Sequence, residues 1–201
     1  MNRRLTLSLC AGATIRRRRA MSLSITSTIT LASGVKLPIL GFGVYQVLHP
    51  RESTLAALHA GYRHIDSARV YRSEAAVGEA VASFRQSQKD ANTDVVFLTS
   101  KIQGKQHAAA KAHAAIDESV ATLTKVGLAW DLYLLHDATS GPIRRLEAWR
   151  VLEEKVSEGT LHAIGVSNFV SAFPSHFSHL GSNPTSTAFF DSASPSSDVL
   201  T

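Results

Sequence analysis

Between Ile25 and Asn168 the chain alternates short apolar, β-branched runs with longer stretches whose apolar residues recur every three or four positions. Ile25–Leu31 and Val35–Ile39, joined around Ser33-Gly34, predict a small hairpin. Leu40–Tyr45 predicts a strand. Pro50, Arg51 and Glu52 then open a helix that runs to about Ala60 and stops at Gly61. Arg63–Ser67 predicts the next strand, and Ser73 is placed to cap a helix whose apolar face is Val77, Ala80, Val81 and Phe84. Asp94–Ser100 is a third strand. Ile116, Val120, Leu123 and Val126 mark the buried side of the following helix, which Gly127 ends. Asp131–His136 predicts a fourth strand. Leu146, Trp149, Leu152 and Val156 form the stripe of a fourth helix closed by Gly159, and Leu161–Ser167 predicts a fifth strand.

Strands that are apolar throughout, each followed by a helix, imply a parallel sheet covered on both faces. The pattern leaves two α/β architectures open, a doubly wound open sheet and a barrel. It ends just past Phe169. Residues 171–201 hold nine Ser, three of the six Pro in the chain and no Lys or Arg, so this segment reads as a disordered tail.

Charge changes the picture at the other end. Residues 1–20 carry six arginines (Arg3, Arg4, Arg16, Arg17, Arg18 and Arg19) and no acid; the remaining 15 of the 21 Lys and Arg face 16 Asp and Glu. The basic balance therefore belongs to a leader, residues 1–22, read as disordered. Its composition suits a mitochondrial transit peptide, a basic arm, or a start placed ahead of the true one at Met21. The expected location is cytoplasmic, or mitochondrial if the leader is a transit peptide. Cys10, the single cysteine, lies there too, so no intramolecular disulfide can form. No helix shows a basic stripe for nucleic acid, and no apolar run approaches the ~20 residues that span a bilayer.

Four residues stand out by position. Asp66 lies at the end of one predicted strand and Tyr71 in the loop beyond it; Lys101 follows the third strand and His136 the fourth. The C-terminal tips of successive parallel strands converge on one mouth, where barrels place their chemistry. Taken singly, each of these residues is more often a cap, a solvated charge or a satisfied strand-end histidine. Gly41-Phe-Gly43 lacks the later glycine of a dinucleotide fingerprint. His176 and His179 have ligand-like spacing without a supporting cluster, and Ser167 lacks the surroundings of a nucleophile elbow.

Gly41-Phe-Gly-Val-Tyr45, His64-Ile-Asp-Ser-Ala-Arg-Val-Tyr71, Thr99-Ser-Lys101, Leu134-Leu-His136 and Glu158 through Phe169 occur together, in order and at the right spacing. In this the chain resembles the aldo-keto reductases, over roughly residues 25–170. The resemblance implies a (β/α)8 TIM-barrel fold with an N-terminal hairpin, and reduction of an aldehyde or ketone with hydride from NADPH, or NADH, without a metal. It makes Tyr71 the proton donor. Lys101, paired with Asp66, would lower the Tyr71 pKa from ~10. His136 would orient the carbonyl. Ser167 and Asn168 would hold the nicotinamide carboxamide, and Gly43, Val44 and Tyr45 would line the nicotinamide and substrate pocket. Tyr45 stands where many relatives have tryptophan, which leaves substrate preference open.

Only about five of eight β/α units are expected, in residues 23–170. The composition break past Phe169 reads as a chimeric end from a retained intron, a frameshift or a wrong gene model. A domain is stable by only ~5–15 kcal/mol, and open apolar edges invite association. The complete barrel is expected to be a monomer and this shorter form to be aggregation-prone. A catalytically inactive fragment and an edge-pairing interaction module are the alternatives to an enzyme.

Overall fold

A computed structural model describes residues 23–88, 95–169 and 187–190. The leader, including Cys10, and the serine-rich segment apart from 187–190, including His176 and His179, lie outside the described residues. Strands β1 (Thr28–Thr30) and β2 (Lys36–Pro38) form the expected antiparallel hairpin. Six further strands make one sheet: β3 (Phe42–Gly43), β4 (His64–Asp66), β5 (Phe97–Ile102), β6 (Leu132–Leu135), β7 (Ala163–Ser167) and β8 (Thr187–Phe190). All five pairings are parallel. Among the described residues, four α-helices connect β3 through β7: α1 (Pro50–His59), α2 (Glu74–Ser87), α3 (Ala109–Thr124) and α4 (Pro142–Ser157).

The order of strands in the sheet is their order in the chain. A doubly wound sheet reverses direction at a switch point; this one never does, so the topology is that of a barrel wall. The sixth strand falls within residues 171–201, the segment expected to be a disordered tail. Thr-Ala-Phe-Phe is a β-branched and aromatic run inside that segment, and it pairs Thr187 with Ile164 through Phe190 with Ser167 along the otherwise open edge of β7.

The helices begin and end for local reasons. Pro50 occupies the first turn of α1, where its missing N–H costs nothing. Gly61, Gly127 and Gly159, just beyond α1, α3 and α4, have φ of 99°, 70° and 75°, the left-handed conformation that ends a helix and that side chains resist. Ser73 is not the cap expected of it. Its Oγ bonds that of Ser67 at 3.1 Å and makes no bond to the α2 backbone.

Alternation along the strands divides the core in two. On the helix side, Ile65, Leu98, Ile102, Tyr133, Leu135, Ile164 and Val166 pack with Val77, Val81, Phe84, Ile116, Leu123, Trp149 and Leu152. Each large side chain buried there stabilises by roughly 1.5–3 kcal/mol. On the inner face, Phe97, Leu132, Leu134 and Ala163 meet Leu31 and Leu37 of the hairpin, with no described helix residue among them. The hairpin thus closes the N-terminal end of the wall. Higher on that face come His64 and Thr99, hydrogen-bonded at 3.0 Å, then the polar residues at the strand tips.

Candidate active site

Period two does the positioning. His64 and Asp66 share the inner face of β4, and Phe97, Thr99 and Lys101 share that of β5. Strand β5 runs two residues further than its sequence pattern suggests, so Lys101 lies within the strand and not after it. Its pairing with β6, Lys101 opposite Leu134 and Ile102 opposite Leu135, holds it there. The ladder continues past the strands: Val44 N–H donates to the Asp66 carbonyl (3.0 Å), Ser67 N–H to Thr99 (2.9 Å) and His136 N–H to Ile102 (2.8 Å). The tips carrying the functional side chains are therefore tied to one another by backbone.

The structure brings the four candidate residues together. The Lys101 ammonium is buried; it donates to the Asp66 carboxylate and, at 2.8 Å, to the Ser67 carbonyl. It also lies 5.3 Å from the centroid of the Tyr71 ring. Tyr71 Oη is 3.3 Å from His136 Nε2, a long hydrogen bond between rings set edge to face at 78°. On its other side Tyr71 meets Tyr45 at 5.0 Å. Sequence reasoning missed Ser67, because a backbone acceptor has no side-chain signature.

Burial dominates the protonation states. It lowers the Lys101 pKa, against the opposing pull of Asp66. It lowers that of His136 too, with help from Lys101 and against Asp137 and Asp66, so the imidazole is neutral near pH 7. Tyr71 is pushed up to about 12, first by burial and then by the negative charge of Asp66 and by Tyr45. The expected lowering of Tyr71 by Lys101 is not found. The ammonium is engaged by a carboxylate and a carbonyl, and the Asp66 charge that holds it also opposes a phenolate.

Of the remaining candidates, Ser167 and Asn168 stand at the tip of β7. Asn168 adopts φ 58° and donates through Nδ2 to the His136 carbonyl (2.8 Å) and to Ser167 Oγ (3.1 Å). Ser167 Oγ, accepting there, keeps its own hydrogen to donate elsewhere. Tyr45 is exposed and faces the mouth, and a Cβ added at Gly43 would meet nothing within 4 Å, which leaves room beside the β3 tip. Val44 differs from its assignment: its side chain is buried in the helix-side core, so it can offer a ligand only backbone.

A second network, invisible in the sequence pattern, begins at Asp137, next to His136 in the chain. Asp137 accepts from Gly104 N–H (3.0 Å) and Thr139 N–H (3.0 Å). His107 meets Ser140 Oγ through Nδ1 at 2.7 Å and the Ile102 carbonyl through Nε2 at 3.4 Å. Hydrogen bonds from Thr139 and Gly104 hold the Asp137 carboxyl below its ordinary range, outweighing a larger single push from burial. This joins the loop after β5 to the loop after β6.

A sequential parallel wall with Asp, Tyr, Lys and His gathered at its C-terminal end has the layout of a barrel that places its site at strand ends. The chain belongs to the aldo/keto reductase family, whose model matches residues 51–172. It is 40% identical over 146 residues to an uncharacterized oxidoreductase of Schizosaccharomyces pombe, covering 71% of this chain and 50% of that one. It is 34% identical over 152 residues to the glyoxal reductase of Bacillus subtilis, covering 74% and 52%. The crystal structure of a Bombyx mori aldo-keto reductase in complex with NADP superimposes with a TM-score of 0.69 at 28% identity, over 83% of this chain and 59% of that one. The chain thus spans about half the length of the curated relatives it matches.

Proposed function

We propose that this chain carries the catalytic half of an oxidoreductase that reduces an aldehyde or ketone to an alcohol with NADPH, or NADH. The observation that carries the reading is the Asp66–Lys101–Tyr71–His136 chain of contacts, which ends on a tyrosine hydroxyl and an imidazole nitrogen 3.3 Å apart. When bound, the reduced nicotinamide supplies a hydride to the carbonyl carbon. The residues fit its carboxamide: the Ser167 hydroxyl can donate to an amide oxygen, and the space beside Gly43 can admit a ring.

The remaining chemistry is a proton. A neutral His136 can donate one N–H to the carbonyl oxygen and fix its direction. Tyr71, protonated at every physiological pH, gives its hydrogen as negative charge builds on that oxygen. A weak phenol suffices, since the alkoxide being formed is a stronger base than phenolate. Asp66 and the Ser67 carbonyl hold the Lys101 ammonium beside the tyrosine ring, 5.3 Å from its centre. Water returns the proton.

The test is consumption of NADPH with a small aromatic aldehyde by the full chain and by Tyr71→Phe. Loss of a general acid reduces turnover by about 10²–10⁴-fold. Turnover unaltered in Tyr71→Phe would remove the assignment, and saturable NADPH binding without turnover would support the inactive-fragment reading instead.

A further inference from the structure

Outside the catalytic cluster, on the other side of the Arg69–Tyr71 turn, lies a cleft of about 390 Å³ between that turn, the start of α2 and the loop after β5. Its charges do not cancel. Arg69 is paired with Glu118. Glu74 is buried and accepts from two hydroxyls at one carboxylate oxygen, Ser100 at 2.5 Å and Ser119 at 2.6 Å, so the lining sets three cations (Arg69, Arg72, Lys105) against two acids (Glu74, Glu118). Arg72 and Lys105 are left with no acidic partner among the described residues.

The uncharged lining favours donors as well. Gln103 and Gln106 cap each other's backbone: Gln106 Oε1 accepts from the Gln103 N–H at 3.3 Å, and the Gln103 side chain accepts from the Gln106 N–H. A backbone N–H can only donate, so both side-chain oxygens must face inward and both amide –NH2 groups are left as donors. Two cations and two oriented amides offer hydrogen and no lone pairs. That chemistry suits an oxyanion and disfavours a cation.

We propose that this cleft is an oxyanion subsite, taking a carboxylate or phosphate group between Arg72, Lys105 and the amides of Gln103 and Gln106. It goes beyond the carbonyl-reduction reading and stands without it, because binding there needs neither cofactor nor turnover. The oxyanion can be a free ion or the charged end of a larger ligand.

The experiment is backbone amide NMR of the full chain titrated with inorganic phosphate, and separately with benzaldehyde and 4-carboxybenzaldehyde. Expected are saturable shifts confined to residues 69–75 and 103–106, weakened about tenfold or more in Arg72→Ala and in Lys105→Ala, as for loss of a charge-assisted hydrogen bond. Both side chains are exposed, so both variants retain the fold. If 4-carboxybenzaldehyde, unlike benzaldehyde, shifts the cleft together with Tyr71 and His136, the subsite reads the substrate; if phosphate alone shifts it, the ligand is a free anion. Shifts absent from the cleft, or undiminished in both variants, would overturn the proposal.

Discussion

Tyr71 is the residue on which the proposed chemistry turns, and its environment makes a definite statement about ionisation. Burial and the Asp66 charge raise its pKa from 10.0 to about 12. Between those values the unfolded chain has released a proton that the folded chain retains, so stability falls as pH rises through that window and is recovered below 10. Ultraviolet difference titration of the full chain against Tyr71→Phe should place the missing phenolate signal near pH 12; a signal appearing below pH 10 would mean that Lys101 governs the site after all. The four candidate positions were legible in sequence because each closes a short motif at or just beyond a strand end. Their mutual electrostatics were not. The sign of the Tyr71 shift depends on Lys101 being engaged by Asp66 and the Ser67 carbonyl, and no spacing of residues displays that. Nor does the motif that marks the tip of β3 say that the Val44 side chain turns into the core.

At the scale of elements, the loops after β5 and β6 act as one piece. Gly104 is the point of closest approach: a Cβ there would lie 2.3 Å from Thr139 Oγ1 and 2.7 Å from Asp137 Oδ1. Gly104→Ala should therefore push the two loops apart and destabilise by about 1–3 kcal/mol, as overpacking does. Urea unfolding reads the loss, and Gly104→Ala combined with Thr139→Ala should recover part of it. An unchanged midpoint in Gly104→Ala would show that the loops are not braced. Element type and order followed from periodicity, because apolar spacing is what burial against a neighbour requires. Ends were less legible: β5 runs to Ile102 because β6 pairs with it, a tertiary cause, and Ser73 bonds Ser67 where a local rule expected a helix cap.

For the molecule as a whole, three histidines report on acid stability. Burial lowers the pKa of His64, His107 and His136 below the ordinary 6.5 in each case. Below that value the unfolded chain binds protons that the folded chain refuses, so stability is present above pH 6.5 and is lost as pH falls toward the folded values. The urea midpoint should drop between pH 7.5 and pH 5.5, above the range in which ordinary carboxylates titrate. A flat profile, or imidazole resonances titrating near 6.5, would contradict this. The barrel topology was only half visible at this scale. Periodicity indicated a parallel sheet, whereas the absence of an order reversal is a property of pairing, which the pattern does not contain. The strand β8 escaped notice because its four residues sit among serines and prolines.

The two faces of β5 carry opposite duties on neighbouring residues. Ser100 points to the helix layer and donates to Glu74, while Lys101 points inward and donates to Asp66. Loss of a single codon upstream in this strand would set Lys101 where Ser100 stands, presenting the lysine to Glu74 and the Ile102 side chain to Asp66. The apolar count of the strand would scarcely change, yet the site would lose its cation. In evolutionary terms β5 can drift among apolar residues at its other positions, but its length cannot change by one. Insertions and deletions there are a harsher filter than substitutions.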